Sequence, residues 1–147
     1  YRAKAAGKGR HVVFEAGMHL AAMERLALEV MLRAALADPA GHGLSLVYQP
    51  VLDLESGRLT SVEALLRWHP PAEAPIPPLR FVPIAEETGL IAPLGRWVLE
   101  TACRQLARWD ADLGDAAPPT VAVNLSGRQL DDPDVVRIVA EVLHATG

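Results

Sequence analysis

Asp53-Leu54-Glu55-Ser56-Gly57 is a five-residue bridge between two apolar, strand-like runs, Leu44 to Leu52 and Arg58 to Trp68. A parallel crossover needs about a dozen residues or more, so a link this short forces the two runs to pair antiparallel. His69 to Pro78 then holds five prolines and reads as an irregular loop at the carboxyl end of the second strand. Pro78 to Glu87 reads as a short helix closed by Gly89, and Pro93 opens a longer helix reaching Asp110. On that longer helix Leu94, Val98, Thr101, Cys103, Leu106 and Trp109 fall on the core side. Arg96, Glu100, Arg104 and Arg108 recur every fourth residue as a solvated face. Thr120 to Leu125 is a third apolar run of strand length, and Asp132-Pro133 is an N-cap and first-turn pair for a last helix. Strands followed by helices in this order suit the beginning of an α/β barrel.

Upstream of the hairpin, residues 16–37 carry Met23, Leu26, Val30 and Ala34 at three- and four-residue steps, with Glu29 and Arg33 one turn apart on another face. This is the pattern of an amphipathic helix, most simply a connector. Pro39-Ala40-Gly41-His42-Gly43 breaks it and marks the linker into the next unit. Half of the residues are apolar and the net charge is −4, a composition of globular chains rather than disordered or nucleic-acid-binding ones. The apolar stretches are interrupted by charge before the roughly 18 residues that a membrane span requires. A single cysteine, Cys103, excludes an internal disulfide and fits a reducing cytoplasm. With Trp97 and Leu106 on the same helix it reads as a buried, inert thiol. His11, His19, His42, His69 and His144 lack the paired spacing of zinc sites, and no glycine-rich phosphate loop is present.

The chemistry-bearing stretch is Glu63-Ala64-Leu65-Leu66-Arg67-Trp68, at the end of the second strand-like run. A carboxylate is a hard oxygen ligand for Mg²⁺ or Mn²⁺, and a planar guanidinium holds a phosphate by two hydrogen bonds. Functional groups of barrels gather at the carboxyl ends of strands, so Glu63 and Asn124, on different strands, can address one pocket. On residue type alone a plainer reading stays open. Glu63 is then a surface carboxylate, Asn124 an edge amide, and Arg67 an ion-pair partner of Glu86 or Glu87.

The surrounding stretches separate these readings. Leu46-Val47-Tyr48-Gln49-Pro50, the Glu63 to Trp68 run, Phe81-Val82-Pro83-Ile84-Ala85-Glu86-Glu87-Thr88-Gly89-Leu90-Ile91 and Val121-Ala122-Val123-Asn124-Leu125-Ser126 resemble, in order and spacing, the EAL domain family of cyclic-di-GMP phosphodiesterases. The resemblance runs from Leu44 to Gly147 and implies the first half of a TIM-like (β/α) barrel with an antiparallel first strand, preceded by a linker helix over 16–43. Residues 1–15, Tyr1 to Phe14 above all, resemble the closing helix and strand of a GGDEF domain, where a lysine at the position of Lys4 lies near nucleotide phosphates.

By the same resemblance Glu63 and Asn124 are ligands of a catalytic Mg²⁺ or Mn²⁺, and Gln49 and Arg67 contact the dinucleotide. Leu66, Pro83 and Ser126 line the base or metal pocket, while Glu86 and Glu87 support the fold at a helix end. The implied reaction is metal-assisted hydrolysis of one phosphodiester of cyclic-di-GMP to the linear dinucleotide, in a cytoplasmic protein whose other regions can include a membrane anchor. The family's later acidic ligands and catalytic lysine have no counterpart among these residues, so the chain alone is expected to be inactive. Two other readings remain at this level. One is an EAL-type receptor that binds cyclic-di-GMP without cleaving it, and the other is a structural module that forms homodimers through the EAL portion or the linker helix.

Overall fold

The computed structural model describes residues 16–147; the GGDEF-like expectation for residues 1–15, Lys4 and His11 included, lies outside the described residues. Helix α1 (Ala16–Ala37) leads into strand β1 (Leu44–Leu52) and strand β2 (Leu59–Trp68). Helices α2 (Pro78–Thr88) and α3 (Ile91–Leu113) follow, then strand β3 (Val121–Val123), the single turn α4 (Gly127–Leu130) and helix α5 (Val135–Thr146).

β1 and β2 pair antiparallel from Leu44 opposite Trp68 to Leu52 opposite Leu59, as the short link requires. The turn closes on itself. The Asp53 carboxylate accepts from the Ser56 backbone N–H at 2.8 Å and its hydroxyl at 2.6 Å. Those two hydrogen bonds hold the Asp53 carboxyl below its ordinary value, because they favour the charged form. β3 pairs parallel to β2, Val62 with Val121 and Ala64 with Val123, so the sheet order is β1-β2-β3. The β2-to-β3 connection holds α2 and α3, the long crossover that a parallel pair demands.

Side chains alternate across the sheet, and the even-numbered residues of β2 face the helices. Val62, Ala64 and Trp68 are buried there with Phe81 and Ala85 of α2, Leu94 of α3, and Leu32 and Ala35 of α1. Trp68 and Phe81 meet edge to face at 5.2 Å, and the Trp68 indole N–H donates to the His42 carbonyl at 3.0 Å. That bond satisfies the one polar atom of a side chain otherwise chosen for its apolar area. Tyr48 packs edge to face on Trp109 at 4.8 Å, which fixes α3 to the same face.

Gly43 makes the tightest backbone approach in the linker. Its φ is +75°, and a Cβ there would stand 1.8 Å from the His69 carbonyl oxygen. The left-handed backbone alone costs about 1–2 kcal/mol with any other residue, and the facing atom is backbone, which cannot swing away. Gly43→Ala is therefore expected to lower stability by more than that conformational cost, read as a drop in denaturation midpoint at unchanged m-value.

Three local expectations shift. The stripe Met23, Leu26, Val30 and Ala34 is on the solvent side of α1, and the buried residues are Leu32 and Ala35, with Leu28, Met31 and Leu36 packed behind them. α1 is apolar on both sides, so its periodicity could not say which side is covered. α3 begins at Ile91, two residues before Pro93. Proline is tolerated there because first-turn N–H groups have no intrahelical partner. Asp132 does not cap the last helix. Asp134 stands at its N-cap, and the Asp132 carboxylate accepts from the Asp134 N–H at 2.9 Å.

Candidate metal- and phosphate-binding site

The strand register assembles the site. Glu63 of β2 lies opposite Gln49 of β1 and pairs with Ala122 of β3. Two residues beyond Ala122, Asn124 falls on the face that Glu63 occupies. The Asn124 side-chain N–H donates to Glu63 Oε1 at 2.7 Å, joining residues 61 positions apart. Arg67 follows four residues after Glu63 on the same face, ~13 Å along the strand, opposite Ser45. Gln49, Glu63, Arg67 and Asn124 thus share the sheet face that the helices leave open. Glu63 and Arg67 are half-buried, Gln49 and Asn124 exposed.

Leu66 and Pro83 are on the other side. Leu66 packs against the core among the helix-facing residues, and Pro83 is exposed inside α2, which covers that same face. Leu66 still touches the site through its backbone, because its carbonyl accepts from Arg67 Nη1 at 2.9 Å. Arg67 makes no ion pair with a carboxylate among the described residues. Glu87 pairs instead with Arg25 of α1, and the Glu86 carbonyl accepts from Arg128, so these two residues tie α2 to α1 and α4. Cys103 is half-buried and free, on α3.

The end of β3 is braced by features that the sequence reading passed over. Ser126 and Gln129 form a capping box: Ser126 Oγ accepts from the Gln129 N–H at 3.3 Å, and Gln129 Oε1 accepts from the Ser126 N–H at 3.1 Å. Its signature, Ser-x-x-Gln directly after a strand-like run, was legible. Gly95 of α3 allows the fit, since a Cβ there would meet Gln129 Nε2 at 1.9 Å. A cleft of about 290 Å³ runs beside this brace, lined by Leu66, Val82, Leu94, Asn124, Ser126 and Gln129 among others. It is mostly apolar, and of the four polar site residues it takes in Arg67 and Asn124 but not Glu63 or Gln49.

With Oε1 engaged by the amide, Glu63 Oε2 and Asn124 Oδ1 remain as hard oxygen donors on one face. This donor set fits Mg²⁺ or Mn²⁺ and not a soft metal. It supplies two donors, and among the described residues no group of three His, Cys, Asp or Glu converges on one point. No helix among the described residues is long and apolar enough to cross a membrane.

Comparison with known proteins gives one consistent result. The family model described as EAL domain matches residues 20–147. Cyclic di-GMP phosphodiesterase PdeR of Escherichia coli is 43% identical over 143 residues, 97% of this chain and 21% of PdeR. The bifunctional diguanylate cyclase/cyclic di-GMP phosphodiesterase MucR of Pseudomonas aeruginosa is 42% identical over 143 residues, 97% of this chain and 20% of MucR. The solved PaMucR phosphodiesterase in complex with c-di-GMP superposes with a TM-score of 0.73 at 42% identity, covering 82% of this chain and 47% of that one. The chain therefore spans about a fifth of the length of these curated relatives and about half of the solved phosphodiesterase chain.

Proposed function

The chain belongs to the EAL domain family, and from that membership we propose that the protein carrying it hydrolyses one phosphodiester of cyclic-di-GMP to the linear dinucleotide. The observation that carries this reading is the 2.7 Å contact between Asn124 and Glu63, two hard-oxygen side chains from different strands on the open face of the sheet. Glu63 and Asn124 are the proposed ligands of Mg²⁺ or Mn²⁺. When bound, such a cation lowers the pKa of a water and offsets charge on the phosphate. Asn124 orients Glu63 through its N–H and keeps its own carbonyl oxygen as the second donor. Gln49, opposite Glu63, offers an amide to the dinucleotide, and Arg67, steadied by the Leu66 carbonyl, offers a fork of N–H donors to a phosphate. The same reading takes residues 1–15 as the close of a GGDEF-like domain, 16–43 as the linker and 44–147 as EAL-type. The match to a bifunctional cyclase and phosphodiesterase along 97% of the chain supports that arrangement.

The test is conversion of cyclic-di-GMP by the purified protein, with Mg²⁺ or Mn²⁺ and with EDTA, alongside equilibrium binding of the dinucleotide. Metal-dependent appearance of the linear product is expected. Binding without product identifies a receptor and overturns the hydrolytic reading. Within an active protein Arg67→Ala is expected to raise KM about tenfold or more, the worth of a charge-assisted hydrogen bond. Arg67→Lys, which keeps the charge but loses the fork, should fall between the two.

A further inference from the structure

Asn124 stands one residue beyond the sheet ladder, whose last pair is Ala64 with Val123. Its side chain is exposed and donates to Glu63, so the place of its remaining Oδ1 is set by the backbone that carries it. That backbone runs at once into Ser126, the N-cap of α4, a helix of four residues. A single turn is too short to be stable by its own hydrogen bonds, so α4 depends on what surrounds it. Arg128 donates to the Glu86 carbonyl near the end of α2. Ser126 and Gln129 exchange their capping-box bonds, at 3.3 and 3.1 Å. The Gln129 amide in turn lies against Gly95 of α3, where a Cβ would come within 1.9 Å of Nε2 and 3.0 Å of Cδ. Gly95 has no left-handed backbone to account for it. Glycine inside a helix is disfavoured relative to alanine, so room for this amide is what the residue provides.

We propose that Gln129 is a positioning residue of the metal site: seated on Gly95, it fixes Ser126 and, through Ser126, the placement of Asn124 as an oxygen donor. The inference rests on the reading of Glu63 and Asn124 as ligands of Mg²⁺ or Mn²⁺. Gln129 does not act on the cation itself, because its Oε1 is engaged by the Ser126 N–H. The Ser126 hydroxyl is likewise engaged, by the Gln129 N–H. Asn124 is a neutral amide and a weaker cation ligand than a carboxylate, so its worth depends on being in place before the cation arrives. Groups that orient a metal ligand without touching the metal typically change affinity or activity by about 10–100-fold when removed. The chain thus has two supports for its two donors: the Asn124 N–H holds Glu63, and the Gly95–Gln129–Ser126 brace holds Asn124.

Calorimetric titration of Mn²⁺ into the protein carrying this chain, freed of metal and without substrate, tests the brace. Gln129→Met fills the space of Gln but cannot accept from Ser126, and its Mn²⁺ dissociation constant should rise about tenfold. Gln129→Glu keeps the acceptor and should stay near the wild type, since capping boxes use either residue. Gly95→Ala leaves Gln129 in the chain but displaces its amide. It should weaken Mn²⁺ binding as Gln129→Met does, with little change in melting temperature, because the gain in helix propensity offsets the lost cap. In an Asn124→Ala background, which lacks the donor being positioned, Gln129→Met should cause no further loss. Unchanged affinity in Gln129→Met, a loss in Gln129→Glu as large as in Gln129→Met, or a loss that adds to that of Asn124→Ala would each overturn the positioning role and leave the hydrolytic reading standing. Mn²⁺ binding that follows this pattern in a protein yielding no linear dinucleotide would overturn hydrolysis and support the brace. Mn²⁺ affinity indifferent to Asn124→Ala would overturn the ligand reading and the brace together.

Discussion

Replacing Glu63 by Gln in the protein carrying this chain is expected to lower kcat for cyclic-di-GMP by roughly 10³-fold, while thermal stability stays within the range of an ordinary surface change. The substitution removes a negative charge and little else. Gln keeps the length of Glu, and its Oε1 can still accept the Asn124 N–H, so the contact that joins β2 and β3 survives. Lost is the anionic donor to the cation, whose stabilisation of transition-state charge is worth several kcal/mol, or about three powers of ten in rate. Initial rates at increasing Mg²⁺ or Mn²⁺, read beside circular dichroism and melting, check both halves. If the Gln variant turned over near the wild-type rate at saturating metal, Glu63 would not be a ligand, and the plainer reading of it as a strand carboxylate would stand.

Asn124 marks the limit of what the linear pattern carries. The hairpin was legible because a five-residue link leaves one geometry, and the period of two then assigns Gln49, Glu63 and Arg67 to one face once any one of them is placed. That Asn124 joins them depends on β3 meeting β2 at Val62, a register set by how α2 and α3 pack across the sheet. No local spacing encodes it. Leu66 shows the same rule from the other side. Motif membership brought it into the site, whereas strand alternation sends its side chain to the helices and leaves only its carbonyl to hold Arg67. In α1 the periodicity gave a helix but not its covered side, because Leu28, Leu32 and Ala35 make a second apolar stripe beside Met23, Leu26, Val30 and Ala34. Only packing against Trp68 and Phe81 decides which stripe is inside.

Residues 1–147 produced alone are expected to self-associate, to melt over a broad range and to show no measurable hydrolysis of cyclic-di-GMP. The described sheet has three strands in the order β1-β2-β3, so β1 and β3 each present an outer edge. Unpaired strand edges recruit other strands, and a barrel avoids this by closing. Val47, Val51 and Leu52 of β1 are exposed beside that edge, and the helices pack on the opposite face. The site on the open face offers two donors to a cation that takes about six, too few to hold it while substrate competes. The sheet-mediated species should grow with concentration. Size in solution against concentration, a melting curve and a product assay decide the matter. A monomer with one sharp cooperative transition would show that three strands and five helices suffice for an independent fold, and metal-dependent cleavage would show that Glu63 and Asn124 need no further ligand.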